Sequence, residues 1–222
     1  MLVAVPFVLL PYSSAFFTTS SNQFFSYPTL SPTHKMNIDQ RIATVTNMFG
    51  HIFVRKNLCA EALQMAGPVA CVIVNDAVSW VPKNNRLAIV GDAILDTVLC
   101  RKWYEGSDSA GPRPAHAWSS ARLQIVGNEA LNVRGNALGL GPMIIAGGGF
   151  AGAATPSMIA TTFEAVFGAI YIDGGEAAVL DAVQHLDLQN HPSLMVTFTI
   201  PIPNYIESKA AFAQLTYNLL DP

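Results

Sequence analysis

Residues 84–104 read NNRLAIVGDAILDTVLCRKWY, and this stretch limits the available folds more than any other. Leu87, Val90, Ile94, Val98 and Leu99 recur at three- and four-residue steps, which puts them on one face of an α-helix. Asn84 or Asn85 can cap its N-terminus. An apolar stripe of that length must pack against other helices. The chain supplies them. IDQRIATVTNMFG spaces Ile38, Ile42, Val45 and Met48 helically, and LCAEALQMAG is a second short helix stopped at Gly67-Pro68. SSARLQIVGNEALNVRGNALGL predicts one helix from Ser119 or Ser120 to Gly139. SMIATTFEAVFGAIYIDGG predicts a buried helix ending at Asp173-Gly174-Gly175, and EAAVLDAVQHLDL a last amphipathic one. Strand–helix alternation and internal repeats are absent, so the expected class is an all-α bundle. Hydrophobic residues form 51% of the 222-residue chain and charged residues 12%, enough apolar side chains for one sizeable core.

The expected organisation has three parts. Residues 1–36 are an apolar N-terminal segment and a flexible linker, 37–190 are the folded domain, and 191–222 are a C-terminal extension. The opening MLVAVPFVLLPYSSAFF is interrupted by Pro6 and Pro11. It falls short of the roughly 20 apolar residues of a stable membrane span. It resembles the apolar region of a signal peptide, with SSA as a cleavage site after Ala15. Against that, no Lys or Arg precedes Lys35. The same lack opposes a mitochondrial transit peptide, and a misplaced start codon is a third reading. Without a signal peptide, the expected compartment is intracellular. In the extension, MVTFTIPIPNY suits a strand and SKAAFAQLTYNLL a weak helix. Cys59, Cys71 and Cys100 are odd in number, lack C-x-x-C spacing and sit among apolar residues, so they are expected to be buried free thiols.

Three motifs then stand in order. Asn84, Arg86, Leu87, Gly91 and Asp92 are the first, GNEAL with GLGL the second, and ATTFEAVFGAIYIDGG the third. Over about residues 38–188 this resembles the ribonuclease III domain family. That resemblance implies a helical endonuclease bundle acting on double-stranded RNA. It also implies a magnesium or manganese site built from four carboxylates, two on each of two packed helices. Hard oxygen ligands suit such ions, which activate water and stabilise charge on the phosphate. Carried onto this chain, the implied catalytic and metal-binding residues are Asp92 and Glu164. The other two carboxylate positions fall on Ala88 and Thr161, and Asn85 stands where the family commonly has Glu. Four acids become two, so the formal charge of the site falls from −4 to −2, and a full complement of Mg2+ or Mn2+ is in doubt.

The resemblance also implies dimerisation through the helix at 84–104, as a homodimer or with a related domain. The 31 residues after His191 are too few for a separate double-stranded-RNA-binding domain, so RNA contacts would come from Arg86, Arg101, Lys102, Arg122 and Arg134, with Arg113 a further candidate. The formal charge of −3 counts against tight phosphate binding. Eleven of the twelve basic residues lie between Lys35 and Arg134. Two functions remain open. One is an RNA-processing endonuclease with an altered metal site and weak activity. The other is a catalytically inactive domain acting in RNA binding or assembly, as in mitochondrial ribosomes. Gly147, Gly149 and Gly152 with Asp173 imitate a dinucleotide-binding fingerprint, but the preceding strand that such a motif needs is missing. His116, in HAWSS, is expected in a surface loop.

Overall fold

The computed structural model describes residues 37–108, 111–150 and 152–195. The N-terminal segment, the linker, and the strand and helix expected after Met195 lie outside the described residues. Helix α1 (Ile38–Phe49) starts at Asn37, whose side chain accepts from the Gln40 N–H while the Gln40 side chain accepts from the Asn37 N–H. This reciprocal pair satisfies two otherwise orphaned donors. Helix α2 (Lys56–Leu63) follows, then the antiparallel hairpin β1 (Val69–Val74) and β2 (Ala77–Pro82). Next come α3 (Asn85–Glu105), a two-residue ladder of β3 (Ser107–Asp108) with β4 (Gly111–Pro112), α4 (Ala115–Val126), α5 (Asn128–Leu138), a short 3-10 turn at Gly141–Met143, and α6 (Pro156–His185). The all-α class holds, with the hairpins as additions to a helical bundle. Among the described residues no helix is long and apolar enough to cross a membrane.

Helices α3 and α6 form the centre. Leu87, Ile94, Val98 and Leu99 of the expected face are buried, joined by Leu95, while Val90 is half-buried. The first half of α6 is buried almost all round, from Ile159 to Ile170. Two glycines set how closely these helices approach. A Cβ on Gly91 would sit 1.8 Å from the Glu164 carbonyl oxygen, and one on Gly168 would sit 2.0 Å from the Leu87 carbonyl oxygen. Only glycine permits such backbone contact. Phe49 of α1 closes the core against Phe163 and Phe167, with ring centroids 5.2 and 5.7 Å away.

The structure corrects several local expectations. Asn84 does not cap α3 with its side chain. It is buried and donates to the Ala62 carbonyl at 3.0 Å and the Thr162 hydroxyl at 3.4 Å. The helix expected over 119–139 starts earlier, after Pro114, and breaks at Gly127, where ψ is 150°. His116 therefore lies in the first turn of α4, exposed, rather than in a loop. The hairpin at 69–82 was not anticipated. Its turn, Asn75-Asp76, has φ of 49° and 60°, the double left-handed conformation that joins tight hairpins. Of the free cysteines only Cys59 is buried; Cys71 is exposed on β1 and Cys100 is half-buried. The end of the buried helix at Gly174-Gly175 is correct. Gly175, at φ 74° and ψ −169°, breaks α6 there.

Candidate active-site cleft

Helix α3 directs Asn85, Ala88, Ile89 and Asp92 toward one side, at the steps that share a helical face. Helix α6 directs Thr161 and Glu164 toward the same place, and the α4–α5 junction adds Arg122, Leu123, Asn128 and Glu129. Together they line an open cleft of about 780 Å³. The backbone contact at Gly91 brings Asp92, the next residue, alongside Glu164. All four positions singled out for carboxylates, Ala88, Asp92, Thr161 and Glu164, therefore meet on one cavity, and only two of them are acids.

Glu164 is half-buried in this cleft, and its carboxyl is pushed up to about 7. Burial is the largest cause. The negative charges of Asp92 and Asp96 add to it, and the Arg122 guanidinium opposes it. Arg122 reaches across from α4. Its Nε donates to Asp96 Oδ2 at 2.6 Å and its Nη2 to Asp92 Oδ1 at 3.3 Å. Sequence reasoning missed Asp96. It lies four residues after Asp92, hence on the same helical side, and that spacing was the available signal.

A carboxyl raised from 4.5 to about 7 favours the protonated form in the folded state. Its contribution to stability is full below the unfolded value and is lost as pH rises through about 7. Glu164→Gln, which keeps the neutral shape, is expected to melt higher than wild type above neutrality. The gain is about 1–2 kcal/mol once partial solvent exposure is allowed for, and it should vanish in acid. Urea titrations across that pH range check this, and equal stability of the two proteins at alkaline pH would refute it.

At the four carboxylate positions the cleft offers a divalent ion two acids, with Glu129 a further acid on its lining. Two of the four carboxylate positions are Ala88 and Thr161, Asp92 is held by a guanidinium, and no group of three or more His, Cys, Asp or Glu among the described residues could hold a metal ion.

The sequence-proposed basic residues do not gather at the cleft. Arg122 lines it but is engaged with carboxylates. Arg101 pairs with Glu176 at 2.5 Å. Arg134 lies beside Leu138, Phe163, Leu186 and Leu188 in a separate pocket. Arg86 is exposed on α3 near Glu61, and Lys102 is half-exposed. Arg113 is buried and donates to the Ser193 and Met195 carbonyls, so it clamps the segment at 193–195 rather than facing solvent. The glycine-rich imitation of a dinucleotide site also dissolves. Gly147, Gly149 and Gly152 lie in the connection before α6, and Asp173 has another task. Its side chain, 1% exposed, accepts from His51 Nε2 at 3.0 Å, from the Val54 and Arg55 N–H groups at 2.9 and 3.0 Å, and from Arg55 Nε at 3.2 Å.

Comparison with known proteins gives a consistent set. Residues 85–175 match the family model described as the ribonuclease III domain. Ribonuclease 3 of Bdellovibrio bacteriovorus is 34% identical over 143 residues, covering 62% of this chain and 57% of that protein. Ribonuclease 3 of Staphylococcus aureus is 30% identical over 145 residues, covering 62% and 58%. The chain thus spans less than two thirds of the length of these curated relatives. Two solved structures of the nuclease domain of ribonuclease III from Campylobacter jejuni align with it. One has a TM-score of 0.55 at 24% identity, covering 68% of this chain and 99% of that one. The other has a TM-score of 0.52 at 25% identity, covering 68% and 96%.

Proposed function

We propose that this chain, whose residues 85–175 match the ribonuclease III domain model, associates with double-stranded RNA through a nuclease fold that cuts weakly or not at all. One observation supports this reading above the others. The four positions that would supply carboxylates converge on one cleft, and only Asp92 and Glu164 are acids. Metal-assisted hydrolysis needs the ion's charge at a fixed place to activate water, and the two acids left at those four positions, one of them engaged by Arg122, are a poor means of fixing it. Asp92 and Glu164 are then remnants of the family's catalytic and metal-binding set, and Mg2+ or Mn2+ is not a resident cofactor.

Duplex contacts fall first to the exposed Arg86 and the half-exposed Lys102, because Arg101 and Arg122 are paired with acids. So few phosphate contacts make binding weak and only shallowly salt-dependent. Incubating the full chain with long duplex RNA at low salt tests this. The expected result is a shifted band on a native gel and unchanged RNA length on a denaturing gel. RNA that does not shift even at low salt would contradict association with duplexes.

The same reading includes a dimer through α3. Ile89 of α3 and Leu123 of α4 are 71% and 70% exposed at the rim of the cleft, and a partner copy or a related domain would cover them. Light scattering of the purified chain is expected to give twice the monomer mass. A monomer at micromolar concentration would rule out a stable homodimer.

A further inference from the structure

Arg122 is the element of the cleft that the missing carboxylates do not explain. It comes from a third helix, α4, and aims a guanidinium at acids on α3. It bridges Asp92 and Asp96, which stand one turn apart, with different nitrogens on the two carboxylates at 3.3 and 2.6 Å. Glu164, across the cleft on α6, feels the same positive charge. A planar fork with fixed charge is suited to holding two carboxylates at once.

We propose that Arg122 is the resident cation of this cleft, holding Asp92 and Asp96 in the role that a divalent ion would otherwise fill. The inference rests on the non-cleaving reading above and deepens it, because it assigns the regulation of the site to a residue of this chain. Part of the acids' charge is offset from within, in every copy and at every metal concentration. A divalent ion would have to displace the guanidinium from Asp92, leaving a cation beside the incoming cation. Mutual repulsion of the two then opposes metal entry. Without Arg122, the two aspartates of α3 and Glu164 become a partly exposed acidic group, in and beside the open cleft, that has lost its cation. Such a group destabilises the apo protein and gains from any bound cation.

Manganese, followed by electron paramagnetic resonance of the free ion and by thermal melting, tests this on the full chain at neutral pH. The wild type is expected to bind no Mn2+ at millimolar concentration and to melt at the same temperature with and without it. Arg122→Gln should melt several degrees lower without metal and recover much of that loss with Mn2+, which it should bind about tenfold or more tightly than wild type. Adding Asp96→Asn to Arg122→Gln should remove most of the metal response. Arg122→Lys, which keeps the charge, should remain insensitive to metal, and it carries the test if Arg122→Gln fails to fold. Mn2+ bound by the wild type and lost in Asp92→Asn would overturn the assignment, as would Arg122→Gln melting like wild type with no response to metal. Duplex cleavage measured on the same samples keeps the two readings apart. Cutting by a wild type that takes up no Mn2+ refutes the non-cleaving reading alone, whereas uptake without cutting refutes the role of Arg122 alone.

Discussion

Gly91→Ala is expected to cost about 4 kcal/mol, a large share of the roughly 5–15 kcal/mol that holds a typical domain folded. The added methyl would lie 1.8 Å from the Glu164 carbonyl oxygen and within 3 Å of the Gly168 nitrogen. Both are backbone atoms of α6, and no rotamer change can move them aside. Overpacked cores usually lose about 1–3 kcal/mol because side chains yield; here α3 would have to separate from α6. That separation would also remove Leu87, Ile94, Leu95 and Val98 from their packing. Gly168→Ala meets the reciprocal obstacle, the Leu87 carbonyl oxygen at 2.0 Å. Gly148→Ala is the control, since an added Cβ there meets nothing within 4 Å. Urea unfolding followed by circular dichroism separates the cases. A Gly91→Ala protein as stable as the Gly148→Ala protein would show that the two helices do not touch as described.

Asp173→Ala should destabilise the fold by about 3 kcal/mol. Burial pushes this carboxyl up, yet hydrogen bonds from the Arg55 backbone, the His51 ring, the Val54 backbone and the Arg55 side chain together hold it below its ordinary value. Removing the acceptor strands two backbone N–H groups and the His51 ring, which also packs edge-on against Phe53 at 4.8 Å. The lowered carboxyl contributes stability that is present above its unfolded value and lost as pH falls through the folded one. The gap between wild type and Asp173→Ala should therefore be full at neutral pH and shrink in acid. Asp181→Asn, at an exposed position on α6, should stay within about 0.5 kcal/mol of wild type. Denaturant titrations at neutral and acid pH read both effects, and a gap that does not change with pH would contradict the role given to the Asp173 charge.

The sequence revealed most about features written within one helix. The buried side of α3 follows from the spacing of Leu87, Ile94, Val98 and Leu99, and the break in α6 from Gly174-Gly175. Asp92 and Glu164 could be placed together because each sits in a recognisable motif, and the structure puts both on one cleft. Arg122 appeared only as one arginine among several. Its partners Asp92 and Asp96 are 30 and 26 residues away on another helix, and no periodicity links them. Arg113 was misread for the same reason, since its acceptors lie about 80 residues downstream. The hairpin escaped because VACVIV runs apolar without alternation; such a run cannot be told from a buried helix segment by pattern alone. Its turn residues, Asn75-Asp76, were the legible signal. The division of 115–138 into α4 and α5 was hidden because apolar spacing continues across Gly127, whose backbone alone turns the chain.

The proposed reading gives this cleft the placement of a ribonuclease III site without its means of hydrolysis. Its most direct test is the length of long duplex RNA after incubation with a molar excess of the purified chain, with magnesium and then manganese. The RNA is expected to remain at full length, within the background seen for Asp92→Asn. Metal-dependent fragments that appear with the wild type and disappear with Asp92→Asn would contradict it.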